Sequence, residues 1–424
     1  MKVSTNRIEF TKQMKKDYTI LIPNMAKTHF QILIKVFKSY GFNVCLLDND
    51  DENIVSEGLK CVHNDTCYPA LLTIGQMISA LKSGKYDINK TALLMSQTGG
   101  GCRASNYIHL IRKALISSGM PQVPVISLSM SKLERNSGFK ISLGMARRSL
   151  AALIYGDLLM VLKNKAKAYE KNKGESDALV EYWVDYISEQ FEQKKAINQR
   201  SIIANMKKIT DSFDSLELLD EPRVKVGIVG EIYVKYSPLA NNNLEDFLDS
   251  EGCEVMLPPI LGFMMHMIDN NMNDVDFYGG SKLRKFVVSK LFNFMERYEH
   301  YMLKSIDESK NFTSIASFRE LKELVRPLIG HGCKMGEGWF LTAEMVELIV
   351  SGYENIVCTQ PFGCLPNHIV GKAMIRPLKE LYPQSNIVAI DYDPGATRVN
   401  QENRIKLMLS EAREKLSSRV CEEK

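Results

Sequence analysis

The sequence predicts an α/β chain of two related halves, each built on a parallel sheet, with a long helical stretch between them. Three observations carry that expectation. A strand–helix–strand opening occurs twice, at residues 18–47 and again at 224–257. Two stretches share one cysteine spacing: Cys61-Val-His-Asn-Asp-Thr-Cys67-Tyr-Pro and Cys358-Thr-Gln-Pro-Phe-Gly-Cys364-Leu-Pro. Between the halves, from Ile141 to about Leu219, prolines and glycines become scarce and the apolar spacing turns helical. The expected domains are 17–140, a helical bridge over 141–222, and 223–424.

Residues 1–16 are polar and read as a loose arm. Tyr18–Pro23 is a short apolar run, hence a strand. His29–Tyr40 has helical spacing and ends at Gly41, and Phe42–Leu47 is the second strand. Thr91–Ser96 is a strand, Gly99–Cys102 a turn beyond it, Ala104–Ser118 a helix and Val123–Leu128 a strand. The long segment reads as two helices broken near Asn172–Gly174. Val224–Gly230, Asn243–Ser250 and Cys253–Leu257 repeat the opening, with Gly252 in the place of Gly41. Residues 261–326 read as helical with a break at Gly279-Gly280. A glycine-rich loop, Gly330 to Trp339, leads into a helix over Thr342–Ser351. Asn355–Val357 is a strand with Cys358 at its end, Asn386–Ile390 is the last strand, and a helix from Gln401 runs into a polar tail after Leu416.

Of the 424 residues, 45% are apolar and 25% charged, the balance of a soluble globular protein. No run of about 18 apolar residues predicts a membrane span, and the polar start lacks the apolar core of a signal peptide. A formal charge of +4 is small for this length and argues neither for nor against a nucleic-acid partner; no nucleic-acid or membrane partner is expected. A cytoplasmic location follows as the expectation. There the nine cysteines stay reduced, which favours metal or redox chemistry over a disulfide framework.

The proline two residues after Cys67 and after Cys364 suits a helix start. Leu71–Leu81 and Ile369–Leu381 have helical apolar spacing. Cys67 and Cys364 are therefore expected at helix N-termini, where free N–H groups stabilise a thiolate or an anionic metal–sulfur cluster. Open α/β sheets bind ligands beyond the C-terminal ends of their strands. The segments Cys61–Cys67, Gly99–Cys102, Cys358–Cys364 and Asp391–Gly395 are all expected there. Gly100 and Gly101 let backbone approach a ligand closely, and Arg103 could balance a cluster's negative charge. The loop matches neither a phosphate loop nor a dinucleotide fingerprint. Cys45 and Cys253 fall in expected strands and read as core, and Cys421 as incidental. Glu337 and Glu344 flank a helix start, where capping is the default role. The bland alternative for the cysteines is a zinc-stabilised binding module, with Cys67, Cys102 and Cys364 joined by Cys358 or a histidine.

Five motifs together resemble one family: Asn64-Asp-Thr-Cys67-Tyr-Pro-Ala, Gln97-Thr-Gly-Gly-Gly-Cys102-Arg-Ala, Gly336-Glu-Gly-Trp339, Gln360-Pro-Phe-Gly-Cys364-Leu-Pro-Asn-His and Asp391-Tyr-Asp-Pro-Gly-Ala. They are similar to the 2-hydroxyacyl-CoA dehydratase-related proteins, most closely the dehydratase-like portion of acyl-CoA dehydratase activase-related proteins, also called CoA protein activases. The resemblance covers most of residues 18–412. It implies Rossmann-like parallel-sheet halves around a cysteine-bound iron–sulfur cluster, of the 4Fe-4S type or, alternatively, the double-cubane type. It also implies oxygen sensitivity, a low-potential electron from an ATP-dependent activator, and reductive chemistry such as dehydration of a 2-hydroxyacyl-CoA. On the matching motifs, Cys67, Cys102 and Cys364 become ligands with Cys358 as an extra candidate, and Cys61 and Cys333 stay open. No ATP-binding activator domain is visible here, so the activator is expected as a separate polypeptide. A non-catalytic iron–sulfur electron-transfer partner is the alternative function. No catalytic residue, substrate or oligomeric state is singled out.

Overall fold

The computed structural model describes residues 7–51, 53–63, 65–97, 101–129, 134–195 and 198–422. The chain divides into two compact units, residues 1–150 with 188–195, and residues 151–187 with 196–424.

The first unit contains α1 (Met14–Asp17), β1 (Thr19–Pro23), α2 (Lys27–Ser39), β2 (Val44–Leu47), α3 (Asn53–Cys61), α4 (Tyr68–Lys82), β3 (Thr91–Ser96), α5 (Tyr107–Ser117) and β4 (Val125–Leu128). Its four strands are all parallel in the order β2-β1-β3-β4. The strands are short apolar runs because helices cover both faces of such a sheet; Ile20, Leu21, Ala92, Leu93, Val125 and Ile126 are almost completely buried. Residues 7–16 of the expected loose arm are anchored instead, and residues 1–6 lie outside the described residues. Phe10 is fully buried, its amide donates to Asn136 Oδ1 at 3.1 Å, and its carbonyl accepts from Gly138. One buried aromatic in a polar stretch is too sparse a signal for a periodicity argument.

Helix α3 is not foreseen in the apolar pattern of the sequence. It buries only Ile54, Gly58 and Cys61. Two glycines explain the fit against α4. A Cβ on Gly75 would lie 2.0 Å from Ile54 O, and one on Gly58 would lie 2.4 Å from Leu71 O. The backbones of α3 and α4 approach where neither side offers a side chain.

The long helices α6 (Leu143–Tyr169) and α7 (Glu175–Glu192) follow, broken at residues 170–174 as expected. A second break makes a third helix, α8 (Gln199–Asp214), whose Asn198 caps the Ser201 amide at 2.9 Å. The second unit continues with β5 (Lys225–Gly230), α9 (Ile232–Tyr236), α10 (Pro238–Asn241), α11 (Leu244–Ser250), β6 (Glu254–Met256), α12 (Ile260–Tyr278), α13 (Lys282–Asp307), α14 (Phe318–Leu324) and α15 (Trp339–Val350). It closes with β7 (Asn355–Pro361), α16 (Leu365–Val370), α17 (Ile375–Leu381), β8 (Asn386–Tyr392) and α18 (Arg398–Glu422). Its sheet is again all parallel, in the order β6-β5-β7-β8. The two halves expected from the repeated openings therefore share one topology. Gly41 and Gly252 end the helices before β2 and β6, each at φ 77°, the left-handed geometry that glycine adopts without strain.

Three boundaries differ from expectation. The strand at Asn355 runs on to Pro361, so Cys358 lies in its middle. The helix expected over Ile369–Leu381 is interrupted at Gly371, where a Cβ would meet Asn367 O at 2.7 Å and Cys358 Sγ at 3.0 Å. The tail after Leu416 stays helical to Glu422, and its Arg419 pairs with Glu354 at 2.8 Å.

Candidate functional site

In an open parallel sheet the crevice forms where neighbouring strands send their connections to opposite sides. In the second unit that point lies beyond β5 and β7. The chain leaves β5 at Gly230, whose φ of 141° brings its backbone so close to Thr359 that a Cβ would sit 1.8 Å from Thr359 O. The next residue, Glu231, caps α9 by accepting from the Val234 amide at 2.9 Å.

Beyond β7 the chain turns at Gly363, φ 72°, and Cys364 becomes the cap residue of α16. Its half-buried thiol donates to Asn367 Oδ1 at 3.2 Å. Asn367 is fully buried and donates its amide to Glu337 Oε2 at 2.9 Å. Glu337 Oε1 in turn accepts from the Ile232 amide at 3.1 Å. Glu337 thus links the start of α9 to the Cys364 loop. Its own position is fixed by two neighbours at positive φ: Gly336, against Pro366, and Gly338, where a Cβ would lie 2.5 Å from Cys333 O. Sequence reading gave Glu337 a capping role, and capping is what it does, though for α9 rather than for the helix it precedes.

Beneath this chain lies a buried ion pair, Lys235 Nζ to Glu344 Oε1 at 2.8 Å. Among the described residues, neither Glu231 nor Glu337 has an ion-pair partner. Burial raises Glu337 and Glu344 above the ordinary carboxylate range. Burial, reinforced by the nearby charge of Glu337, pushes Glu231 up to about 8. Polar contacts also flank the loop: buried Gln360 Nε2 donates to Asp391 Oδ1 at 2.6 Å, Lys372 reaches Asp391 Oδ2 at 3.1 Å, and His368 Nε2 accepts from the Gly363 amide at 3.3 Å.

Cys358 does not share the exposure of Cys364. It sits on the central strand between Val229 and Ala389 and is fully buried. Burial pushes its thiol up to about 12, so its thiolate, the form that binds metal, is disfavoured. Cys333 occupies the glycine-rich loop, where burial raises its thiol as well.

In the first unit, Cys67 is the cap residue of the 15-residue α4, with proline in the first turn. Its thiol lies 3.1 Å from the Tyr107 hydroxyl. Cys102 leads into the turn before α5 and accepts from Ser105 Oγ at 2.7 Å through its carbonyl. Gln97, at the end of β3, ties the loop down: its Nε2 donates to Ser105 O at 2.8 Å and its Oε1 accepts from Ser127 Oγ at 2.7 Å. Gly101 and Arg103 are exposed beside Cys102; Gly100 lies outside the described residues. Cys61 ends α3, buried, its thiol 3.5 Å from Ser118 Oγ.

The shared topology pairs these segments differently from the cysteine spacing. Cys102 and Cys364 both follow the third strand of their sheet and both precede the next helix. Cys67 starts the helix before the third strand, the place held by Gly338 and Trp339 in the second unit. The two similar Cys-x5-Cys stretches therefore occupy different places in the two folds.

The thiols at Cys67, Cys102 and Cys364 suit soft metals or iron–sulfur clusters in donor chemistry. Among the described residues, no three His, Cys, Asp or Glu side chains gather as a group that could hold a metal ion, so donor chemistry and loop position, not a preformed cage, support such a group. No protein-family model matches the chain, and no curated protein matches it.

Proposed function

We propose that the chain is an iron–sulfur protein of the 2-hydroxyacyl-CoA dehydratase type, working in reductive chemistry with a separate ATP-dependent activator. The observation that carries this reading is the pairing of Cys102 with Cys364. Two sheets of one topology each place a partly exposed thiol just beyond the third strand, where open α/β sheets bind ligands. Cys67, at the start of a long helix, is the third proposed ligand; the burial of Cys358 assigns it to the core. A bound 4Fe-4S cluster supplies low-potential one-electron transfer. The protein's own contribution is to orient: Asn367 holds Cys364, Gln97 holds the Cys102 loop, and Arg103 offers positive charge beside it. A 2-hydroxyacyl-CoA is the proposed substrate class.

Anaerobically purified protein is expected to contain iron with matching acid-labile sulfide, about four irons per cluster. Cys67→Ser, Cys102→Ser and Cys364→Ser are each expected to lose iron while keeping the circular dichroism spectrum. Cys358→Ala and Cys45→Ala are expected to keep iron and shift stability by on the order of 1 kcal/mol. Zinc without sulfide would replace this reading with the zinc-stabilised module.

A further inference from the structure

The turn joining α12 to α13 carries an unusual surface. From Asp276 to Val287, every residue but Lys285 is exposed, whereas both helices bury a face farther from the turn, at Met265 and Ile268 on α12 and at Phe292 and Met295 on α13. The turn end of the hairpin therefore projects from the core of its unit. It is also apolar. Phe277, Tyr278, Leu283, Phe286, Val287 and Leu291 are 40 to 73% exposed. The four on α13 fall at i, i+3, i+4 and i+8, one face of the helix.

Beyond Asp276 the charge at this tip has one sign. Residues 277–295 contain Lys282, Arg284, Lys285 and Lys290 and no acid. Only Lys285 is neutralised, by Asp276. Lys290 Nζ lies 5.1 Å from the Phe286 ring centroid, a cation beside the apolar face it flanks. A second copy docking through this face would bring like charges together. The complementary surface is apolar beneath and anionic at its edge, and it must accept side chains radiating from both sides of a turn. A bilayer interface does this without a shaped groove.

We infer that the α12–α13 tip is a peripheral attachment site for anionic lipid surfaces, with Leu283, Phe286 and Val287 entering the interface and Lys282, Arg284 and Lys290 meeting the headgroups. Attachment of this kind needs no spanning helix, and no helix among the described residues is long and apolar enough to cross a membrane.

The test is sedimentation of the full chain with phosphatidylcholine vesicles, with and without phosphatidylserine. The protein is expected to sediment with the phosphatidylserine vesicles, to be released by salt, and to stay in solution with phosphatidylcholine alone. Phe286→Asp and the pair Lys282→Glu with Arg284→Glu are each expected to weaken binding tenfold or more. Because these positions are exposed, the melting temperature should hold, and sedimentation velocity confirms that each variant is intact. Failure to bind phosphatidylserine vesicles overturns the inference. So does binding that the charge variants lose but Phe286→Asp keeps, which is plain electrostatic adsorption. A dimer that Phe286→Asp dissolves assigns the face to a second copy and overturns it too.

Discussion

Lys235 and Glu344 are buried together, and each is costly to strand without the other. Glu344→Ala leaves a buried ammonium unpaired, and a loss of about 3–5 kcal/mol in urea unfolding is expected. Lys235→Met with Glu344→Leu should cost clearly less, since both charges leave together. Asn367→Ala opens the link between Cys364 and Glu337 and leaves a carboxylate oxygen without its donor, an expected loss of about 1–3 kcal/mol. None of these partners is visible in sequence, because Lys235 and Glu344 lie 109 positions apart and Asn367 and Glu337 lie 30 apart. What the sequence does show is the residue types: Glu337 between two glycines, and Asn367 three residues after a cysteine.

Helices α3 and α4 meet backbone to backbone at Gly58 and Gly75, so a side chain at either position must push the helices apart. Gly75→Val is expected to destabilise by about 1–3 kcal/mol or more, read from thermal melting, while Gly84→Ala, with open space around its Cβ position, should cost only the strain of its positive φ. A neutral Gly75→Val would mean that the helices do not approach as described. The same scale explains which elements were legible. Strands β1, β3 and β5 are apolar runs closed by turn residues, and they appear at nearly the expected positions. The segment after Cys364 has helical spacing over Ile369–Leu381, yet it breaks at Gly371, whose φ of −104° and ψ of −81° are not helical, and a side chain there would meet Asn367 and Cys358. Apolar periodicity does not report a backbone turn of this kind.

At the scale of the whole molecule, buried carboxyls tie stability to pH. Glu231 binds its proton more tightly in the folded chain, up to about 8 from an ordinary 4.5. Its favourable contribution is therefore complete below about pH 4.5 and is lost as pH rises through the folded value. Glu337 and Glu344 are shifted in the same direction. The urea midpoint of the wild type should fall relative to that of Glu231→Gln between about pH 5 and pH 9. A difference between the two proteins that stays constant across that range would contradict the assignment. Two related parallel-sheet halves were foreseen from the repeated openings, whereas their common strand order and the pairing of Cys102 with Cys364 were not. The matching Cys-x5-Cys spacing suggested Cys67 as the counterpart of Cys364, but spacing along the chain does not record which strand a loop follows.

The sequence alone determined the α/β class, the parallel sheets, the two-fold use of one opening and the place of Cys67 and Cys364 at helix starts, because each depends on local apolar patterning and on the preferences of glycine and proline in turns. The tertiary structure decided the rest. It buried Cys358 between two strands, joined Glu337 to α9 and to the Cys364 loop, and left the α12–α13 tip uncovered. Those outcomes depend on which distant segments share space, and burial and hydrogen-bond partnership are properties of that shared space, not of neighbours in the chain.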